Sequence, residues 1–298
     1  MFAEHPPAGV ILFRRNIADP AQLAALVASL QGVLPAGAVL LVDQEGGRVA
    51  RLRPPHWRTH PPAASHLCAR AAWLTGALIG TECAASGLRV VCAPVLDLFV
   101  PGASTVIGDR AWSSDPAETA ERAGAMAAGL RAAGCIAVGK HAPGHGRAPV
   151  DSHHALPRIA AGADMTGDLR VFRSLAPVLP WLMTAHVVYE RWDRDHPATW
   201  SRTVVRDVIR GEIGFNGLLV SDDLAMGALQ GPAGRRAERA WEAGVDLALH
   251  CSGELDDSRG VLMAAPDVSP DLLARMAPPE PEPLDAAALE GERICLMR

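Results

Sequence analysis

Residues 136–154 read IAVGKHAPGHGRAPVDSHH, an apolar run followed by a segment rich in histidine, glycine and proline. The run Ile136-Ala-Val138 predicts a buried β-strand. The glycines and prolines that follow exclude a regular helix, so this segment is expected to be a loop. Its ionisable residues include Lys140, His141, His145, Asp151, His153 and His154. A strand that delivers so many ionisable groups into one loop predicts a catalytic or binding site.

Six further apolar runs resemble this strand, and helical stretches separate most of them. They cover residues 9–13, 39–42, 88–92, 181–185, 217–220 and 245–249. Buried runs that alternate with helices predict parallel strands joined by crossovers. We therefore expect an α/β fold, a TIM-type (β/α) barrel in a single domain. A closed barrel has eight strands, so a count of seven leaves open whether the first strand is lacking at the N-terminus.

A doubly wound open sheet is the alternative fold, although no G-x-G-x-x-G motif follows the first apolar run. The barrel is expected to cover residues 1–277. Residues 278–298 begin with a proline-rich stretch and are expected to form a linker and a C-terminal tail.

Composition narrows the class of protein. Hydrophobic residues make up 49% of the 298 residues and charged residues 20%, which argues against disorder. The net charge of −5 and the lack of any basic run disfavour a nucleic-acid partner. Neither a signal peptide nor an apolar stretch of membrane-spanning length is recognisable, and the six cysteines are scattered. We expect a cytoplasmic monomer with free thiols, no membrane contact and a small-molecule substrate.

Polar residues follow the predicted strands where each strand ends. They are Asp43, Asp97, Lys140, His141, His186, Asp222, Asp223 and His250. In a parallel barrel these ends meet at one face, where active sites are built. Helix capping would explain the aspartates but accounts poorly for lysine and histidine. The pattern therefore favours a functional site at this face.

Asp151 and His153 lie two residues apart in the loop, so their side chains can meet. A carboxylate beside an imidazole fixes its tautomer and favours its protonated form, which suits acid–base catalysis near neutral pH. A solvated loop with incidental histidines is the alternative. A zinc site at His141 and His145 is disfavoured, because the proline and glycine between them break helical spacing.

The segment Val220-Ser-Asp-Asp-Leu-Ala-Met226 is a strand that ends in two carboxylates. A retaining glycosidase needs one ionised carboxylate to attack the sugar, and Asp222 suits that role on a rigid strand end. Asp223 is expected to cap the following turn.

Taken together, these segments resemble glycoside hydrolase family 3, and within it the single-domain bacterial β-N-acetylglucosaminidases of cell-wall recycling. The motif K-H-x-P-G-H-G-x(4)-D-S-H, from Lys140 to His153, carries the resemblance. It implies Asp222 as nucleophile and His153 as acid/base with Asp151 as its partner. It also implies a set of sugar-binding residues, namely Asp43, Arg51, Arg110, Lys140 and His141.

The same resemblance implies a retaining β-N-acetylglucosaminidase without a cofactor. Its substrate would be N-acetylglucosamine linked to anhydro-muramic acid, with or without attached peptide. Four alternatives stay open. They are a phosphorylase that uses phosphate as acceptor, catalysis by the substrate's own acetamido group, a metal-dependent hydrolase with ligands His141, His186, His250 and Asp222, and a sugar-binding protein without turnover.

Overall fold

The computed structural model describes residues 1–297, and the chain divides into two compact units. The first unit contains Met1–Pro94, Glu121–Val138 and the segment from Asp267 onward. The second contains Val95–Ala120 and Gly139–Pro266. The expected division into a barrel over 1–277 and a tail over 278–298 stays a prediction.

Eight strands and eight α-helices can be labelled among the described residues. The strands are β1 (Gly9–Leu12), β2 (Val39–Val42), β3 (Val90–Val91), β4 (Ile136–Ala142), β5 (Arg158–Ile159), β6 (Trp181–Thr184), β7 (Val188–Tyr189) and β8 (Leu218–Val220). The helices are α1 (Pro20–Gln31), α2 (Ala69–Ala85), α3 (Pro116–Ala132), α4 (Thr166–Leu175), α5 (Ala233–Ala243), α6 (Leu255–Ala264), α7 (Pro270–Arg275) and α8 (Ala286–Leu296). Short 3-10 turns lie at Arg14–Asn16, Ala63–Ser65, Gly108–Arg110 and Ala198–Trp200, and a π-helix covers Val204–Glu212.

In the first unit, β1, β2, β3 and the start of β4 are parallel neighbours in that order. Helices α2 and α3 pack very closely against each other in this unit. A Cβ atom on Gly76 would lie 2.2 Å from the carbonyl oxygen of Met126, and one on Gly129 would lie 2.2 Å from that of Trp73. Since real side chains do not approach so closely, glycine is required at both positions for the two backbones to meet.

Helix α8 also belongs to the first unit, where two arginines join it to residues before and within α2. Arg70 donates to both carboxylate oxygens of Glu292, at 2.7 and 2.6 Å. Arg293 is buried and donates to Nδ1 of His60 at 3.0 Å. The helix starts at Asp285, whose carboxylate accepts from the N–H groups of the first turn.

In the second unit, the end of β4 continues towards β6, and the Ala185 N–H donates to the Ala142 carbonyl at 2.8 Å. Strands β6 and β8 run parallel in register from Trp181 opposite Leu218. Every residue of β4, β6 and β8 is buried. Parallel strands buried on both faces are the arrangement that the continuous apolar runs predict.

Six of the seven predicted strands are present, and the seventh needs a correction. Residues 245–249 form only an isolated parallel bridge between Val220 and Leu247. Side chains replace the ladder on either side of this bridge, because Asp246 accepts the Leu219 N–H and Ser221 Oγ accepts the Leu249 N–H. The short parallel pair of β5 and β7 was not predicted.

None of the helices in residues 1–297 combines the length and the apolar character that crossing a lipid bilayer requires.

Candidate active site

Asp222 follows β8 on a backbone that is tied down on both sides. Ser221, directly before it, donates its N–H to Leu247 at 2.8 Å and accepts the Leu249 N–H on its hydroxyl. The Asp223 N–H donates to Oδ1 of Asp222 at 2.8 Å. Asp222 as a whole residue is half-buried. These hydrogen bonds leave the Asp222 side chain little freedom to move.

The polar groups that surround Asp222 keep it ionised. Burial by itself would raise the pKa of this carboxyl, but His141, His186, the Asp223 N–H and Lys140 favour its charged form. Together they lower its pKa from 3.8 to about 2. Asp222 is therefore an anion throughout the pH range in which enzymes usually work, which is the state a nucleophile needs.

Asp223 shapes the turn after β8. One carboxylate oxygen accepts the N–H of Ala225 at 2.8 Å and that of Cys251 at 2.9 Å. These two bonds agree with the capping role expected from the sequence, since an oxygen that satisfies two backbone donors stabilises local structure.

His186 is fully buried, and both of its ring nitrogens are engaged. Nδ1 lies 2.8 Å from Thr199 Oγ1, and Nε2 lies 2.9 Å from the Asp223 carbonyl oxygen. Burial lowers the pKa of His186 more than the nearby Asp222 and Asp223 raise it. With neither nitrogen available, His186 is a poor ligand for the metal site that the sequence left open.

Asp97 organises the turn after β4, a role that the sequence did not reveal. This fully buried carboxylate lies 2.6 Å from His141 Nδ1, and its other oxygen accepts the His145 N–H at 2.6 Å. Burial would raise the pKa of Asp97, but His141 and His145 reverse the effect and lower it. Asp97 therefore fixes the orientation of the His141 ring and the path of the loop that follows. Its position after a predicted strand was the only signal in the sequence.

The loop brings Asp151 and His153 together as predicted. Oδ1 of Asp151 lies 2.7 Å from His153 Nδ1 and accepts the His153 N–H at 2.9 Å. The Asp151 side chain is 32% exposed and that of His153 is 59% exposed. Burial would raise the pKa of Asp151, but the N–H and the ring of His153 outweigh it and lower that pKa.

The backbone of this loop is docked against the turn that follows Asp222. The Gly227 N–H donates to the His153 carbonyl and the Ala228 N–H to the Ser152 carbonyl, both at 3.2 Å. A Cβ atom on Gly227 would lie 2.7 Å from the His153 carbonyl oxygen, so only glycine permits this approach. The loop and the nucleophile strand are thus held together by their backbones.

The predicted sugar-binding residues fall into two groups. In the first unit Asp43 and Arg51 form an ion pair of 2.9 Å. In the second, Lys140 and His141 are buried near Asp222, while Arg110 donates to the Val106 carbonyl at 3.1 Å. Their contacts with sugar stay predictions. Within residues 1–297, no three His, Cys, Asp or Glu side chains are grouped as a metal site would need.

The chain is similar to known proteins along most of its length. The model of the glycosyl hydrolase family 3 N-terminal domain matches residues 1–266. A β-hexosaminidase of Pseudomonas aeruginosa is 42% identical over 260 residues, which are 83% of this chain and 76% of that protein. The chain belongs to glycosyl hydrolase family 3. As a member of this family it is a glycoside hydrolase, as the sequence predicted.

Solved structures of family 3 proteins match almost the whole chain. NagZ from Neisseria gonorrhoeae, in complex with N-trifluoroacetyl-D-glucosamine, has a TM-score of 0.82 and 30% identity, covering 97% of this chain and 88% of that one. A family 3 β-N-acetylglucosaminidase from Paenibacillus sp. str. FPU-7 has a TM-score of 0.83 and 33% identity. This match covers 98% of the present chain but only 58% of the Paenibacillus chain. The predicted fold class, a (β/α) barrel of the TIM type, is confirmed by this family and its structures.

Proposed function

We propose that this family 3 chain is a retaining β-N-acetylglucosaminidase that releases terminal β-linked N-acetylglucosamine. The observation that carries the proposal is the environment of Asp222, an ionised carboxylate at a strand end, beside a loop that presents a carboxylate–imidazole pair. The β-hexosaminidase and NagZ relatives support the choice of sugar.

In the first step, Asp222 attacks the anomeric carbon while the bond to the leaving-group oxygen breaks. His153, protonated and paired with Asp151, gives its proton to that oxygen. The product is a covalent glycosyl ester of Asp222, and the configuration at the anomeric carbon is inverted once.

In the second step, His153 takes a proton from water as the water oxygen attacks the anomeric carbon. The ester bond breaks and Asp222 returns to its ionised form. A second inversion gives overall retention, so the sugar leaves in the β configuration. A histidine that donates and later accepts the same kind of proton performs both steps without a second catalytic carboxylate at the leaving-group oxygen.

Asp43, Arg51, Arg110, Lys140 and His141 are proposed to contact the sugar hydroxyls. The aglycone is proposed to be anhydro-muramic acid with or without peptide, as in the recycling of cell-wall fragments. We further propose that the protein is a cytoplasmic monomer that uses no cofactor. Its support is the resemblance to the NagZ branch of the family.

Hydrolysis of an aryl β-N-acetylglucosaminide by wild type, Asp222→Ala and His153→Ala tests the proposal. We expect turnover by the wild type, with β-N-acetylglucosamine as the first product seen by NMR. Release of the α anomer would contradict the retaining mechanism. Repeating the assay in phosphate separates hydrolysis from phosphorolysis, since a sugar 1-phosphate as the main product would replace the hydrolase assignment.

A further inference from the structure

Ser152 differs from the two residues of the acid–base pair that flank it. It is only 2% exposed, whereas the His153 side chain is more than half exposed and that of Asp151 about one third. The segment is a turn, closed by hydrogen bonds from the His154 and Ala155 N–H groups to the Asp151 carbonyl at 3.1 and 3.2 Å. Within this turn the Ser152 side chain is buried beneath the loop, whereas the side chains of Asp151 and His153 reach the solvent.

The anchor is a hydrogen bond between Ser152 Oγ and His145 Nε2, at 3.1 Å. His145 is itself only 2% exposed, so water does not compete for this bond. The backbone of His145 is fixed as well, because its N–H donates to the fully buried Asp97. A continuous buried chain of contacts thus runs from Asp97 through His145 to Ser152.

The surroundings of His145 decide which nitrogen carries its proton. Among the described residues, its Nδ1 atom is buried without a hydrogen-bond partner. A neutral ring protonated on Nε2 donates to Ser152 Oγ and leaves only a lone pair at Nδ1. A doubly protonated ring would bury both a charge and an N–H without an acceptor, which is the costlier state. Burial, helped by His141, lowers the pKa of His145 to about 4 in agreement with the neutral form.

Two backbone hydrogen bonds hold the loop close to the Ser152 hydroxyl. The carbonyls of Ser152 and His153 accept the N–H groups of Ala228 and Gly227, in the segment that follows Asp222. The two backbone hydrogen bonds hold the loop against the segment that follows Asp222. The hydrogen bond to His145 adds a third point of attachment, which restricts how the loop can turn about the other two.

We propose that Ser152 is a positioning residue, and that its hydrogen bond with His145 holds the Asp151–His153 pair in place for proton transfer. The inference rests on the proposed function, in which His153 is the acid/base. Removing the hydroxyl should impair only those steps that need the proton of His153. A residue needed merely for folding would affect all substrates alike.

The test compares kcat/KM for phenyl and 2,4-dinitrophenyl β-N-acetylglucosaminide. Dinitrophenolate leaves without protonation, so the step that kcat/KM reports needs no acid for that substrate. The variants are Ser152→Ala, His153→Ala and the double variant. The matched control is Ser258→Ala, which removes a hydroxyl that donates to the Glu254 carbonyl on an exposed helix.

Because misplacement of a catalytic group is costly, we expect Ser152→Ala to lower kcat/KM on the phenyl substrate about tenfold. The dinitrophenyl value and the Ser258→Ala variant should stay within about twofold of wild type, which is the usual scale for a change that leaves the reacting groups in place. The double variant should equal His153→Ala alone, since Ser152 acts through His153.

Equal losses on both substrates, or a further loss in the double variant, would overturn the role of Ser152 while leaving the glycosidase assignment intact. A partly misfolded variant would produce the first of these outcomes, so the ratio between substrates is the decisive readout. A wild type that cleaves neither substrate would instead overturn the proposed function, and the inference with it.

Discussion

Asp222 and His153 are proposed to act on the same glycosidic bond, yet they stand in opposite surroundings. Asp222 ends a buried strand, in an environment that lowers its pKa to about 2. His153 lies on a loop with 59% of its side chain exposed, and its ring contacts the Asp151 carboxylate.

This contrast matches the demands of the two roles. A nucleophile must stay ionised and must approach the anomeric carbon from one direction, so a rigid mount with permanent electrostatic support suits it. An acid/base group must give its proton to the leaving-group oxygen in one step and take a proton from water in the next, so the leaving group has to depart and water has to enter beside it between the two steps. An exposed side chain on a docked loop allows this exchange.

The largest effect should follow from Asp222→Ala. Without the attacking carboxylate, we expect kcat/KM to fall by about four orders of magnitude on every substrate, equivalent to about 5.5 kcal/mol of transition-state stabilisation. Steady-state assays on aryl glycosides measure it. Asp207→Ala, which removes an exposed carboxylate paired with its neighbour Arg206, is the matched control. A loss of kcat/KM below tenfold for Asp222→Ala would contradict the assignment of Asp222 as the nucleophile and with it the contrast to His153.

A smaller, selective effect should follow from His153→Ala. General acid catalysis contributes on the order of a hundredfold or more, so kcat/KM on the phenyl substrate should fall by about that factor. The dinitrophenyl substrate should show little change in kcat/KM, although its kcat should fall because the second step still needs a base. Equal losses in kcat/KM on the two substrates would indicate that His153 does not protonate the leaving group.

The smallest effect concerns the buried His145 beneath the exposed loop, and the pH dependence of the free energy of unfolding to which it contributes. The pKa of His145 falls from 6.5 to about 4 on folding. The unfolded chain therefore takes up this proton first on acidification, and stability falls as pH drops through the window from 6.5 towards 4. His145→Gln should reduce the loss of unfolding free energy between pH 7 and pH 5 by about 2 kcal/mol. Urea unfolding followed by circular dichroism measures it, and parallel pH curves for variant and wild type would refute it.

Much of this picture could be predicted from the sequence, because the signals involved are local. Apolar runs of three to five residues predict six strands, and a spacing of two residues on a loop places Asp151 beside His153. The same local reasoning separated Asp222 from Asp223, whose carboxylate indeed supports the turn.

The rest depends on contacts between distant parts of the chain. Asp97 meets His141 across 44 residues, and nothing near Asp97 in the sequence indicates that partner. The pairing at Leu247 shrinks to one bridge because two side chains take over backbone bonds, which no hydrophobic pattern encodes. Strands β5 and β7 are two residues long, as β3 is, but unlike β3 they lie outside the apolar runs from which strands were predicted.

The central claim is that Asp222 becomes covalently bonded to the sugar. Incubation with a fluorinated N-acetylglucosaminyl donor that retains the acetamido group, followed by peptide mass spectrometry, tests it directly. We predict a sugar adduct on the peptide 217–226, assigned by fragmentation to Asp222 and not to Asp223. An adduct on another residue, or complete turnover through the acetamido group without any adduct, would contradict the claim.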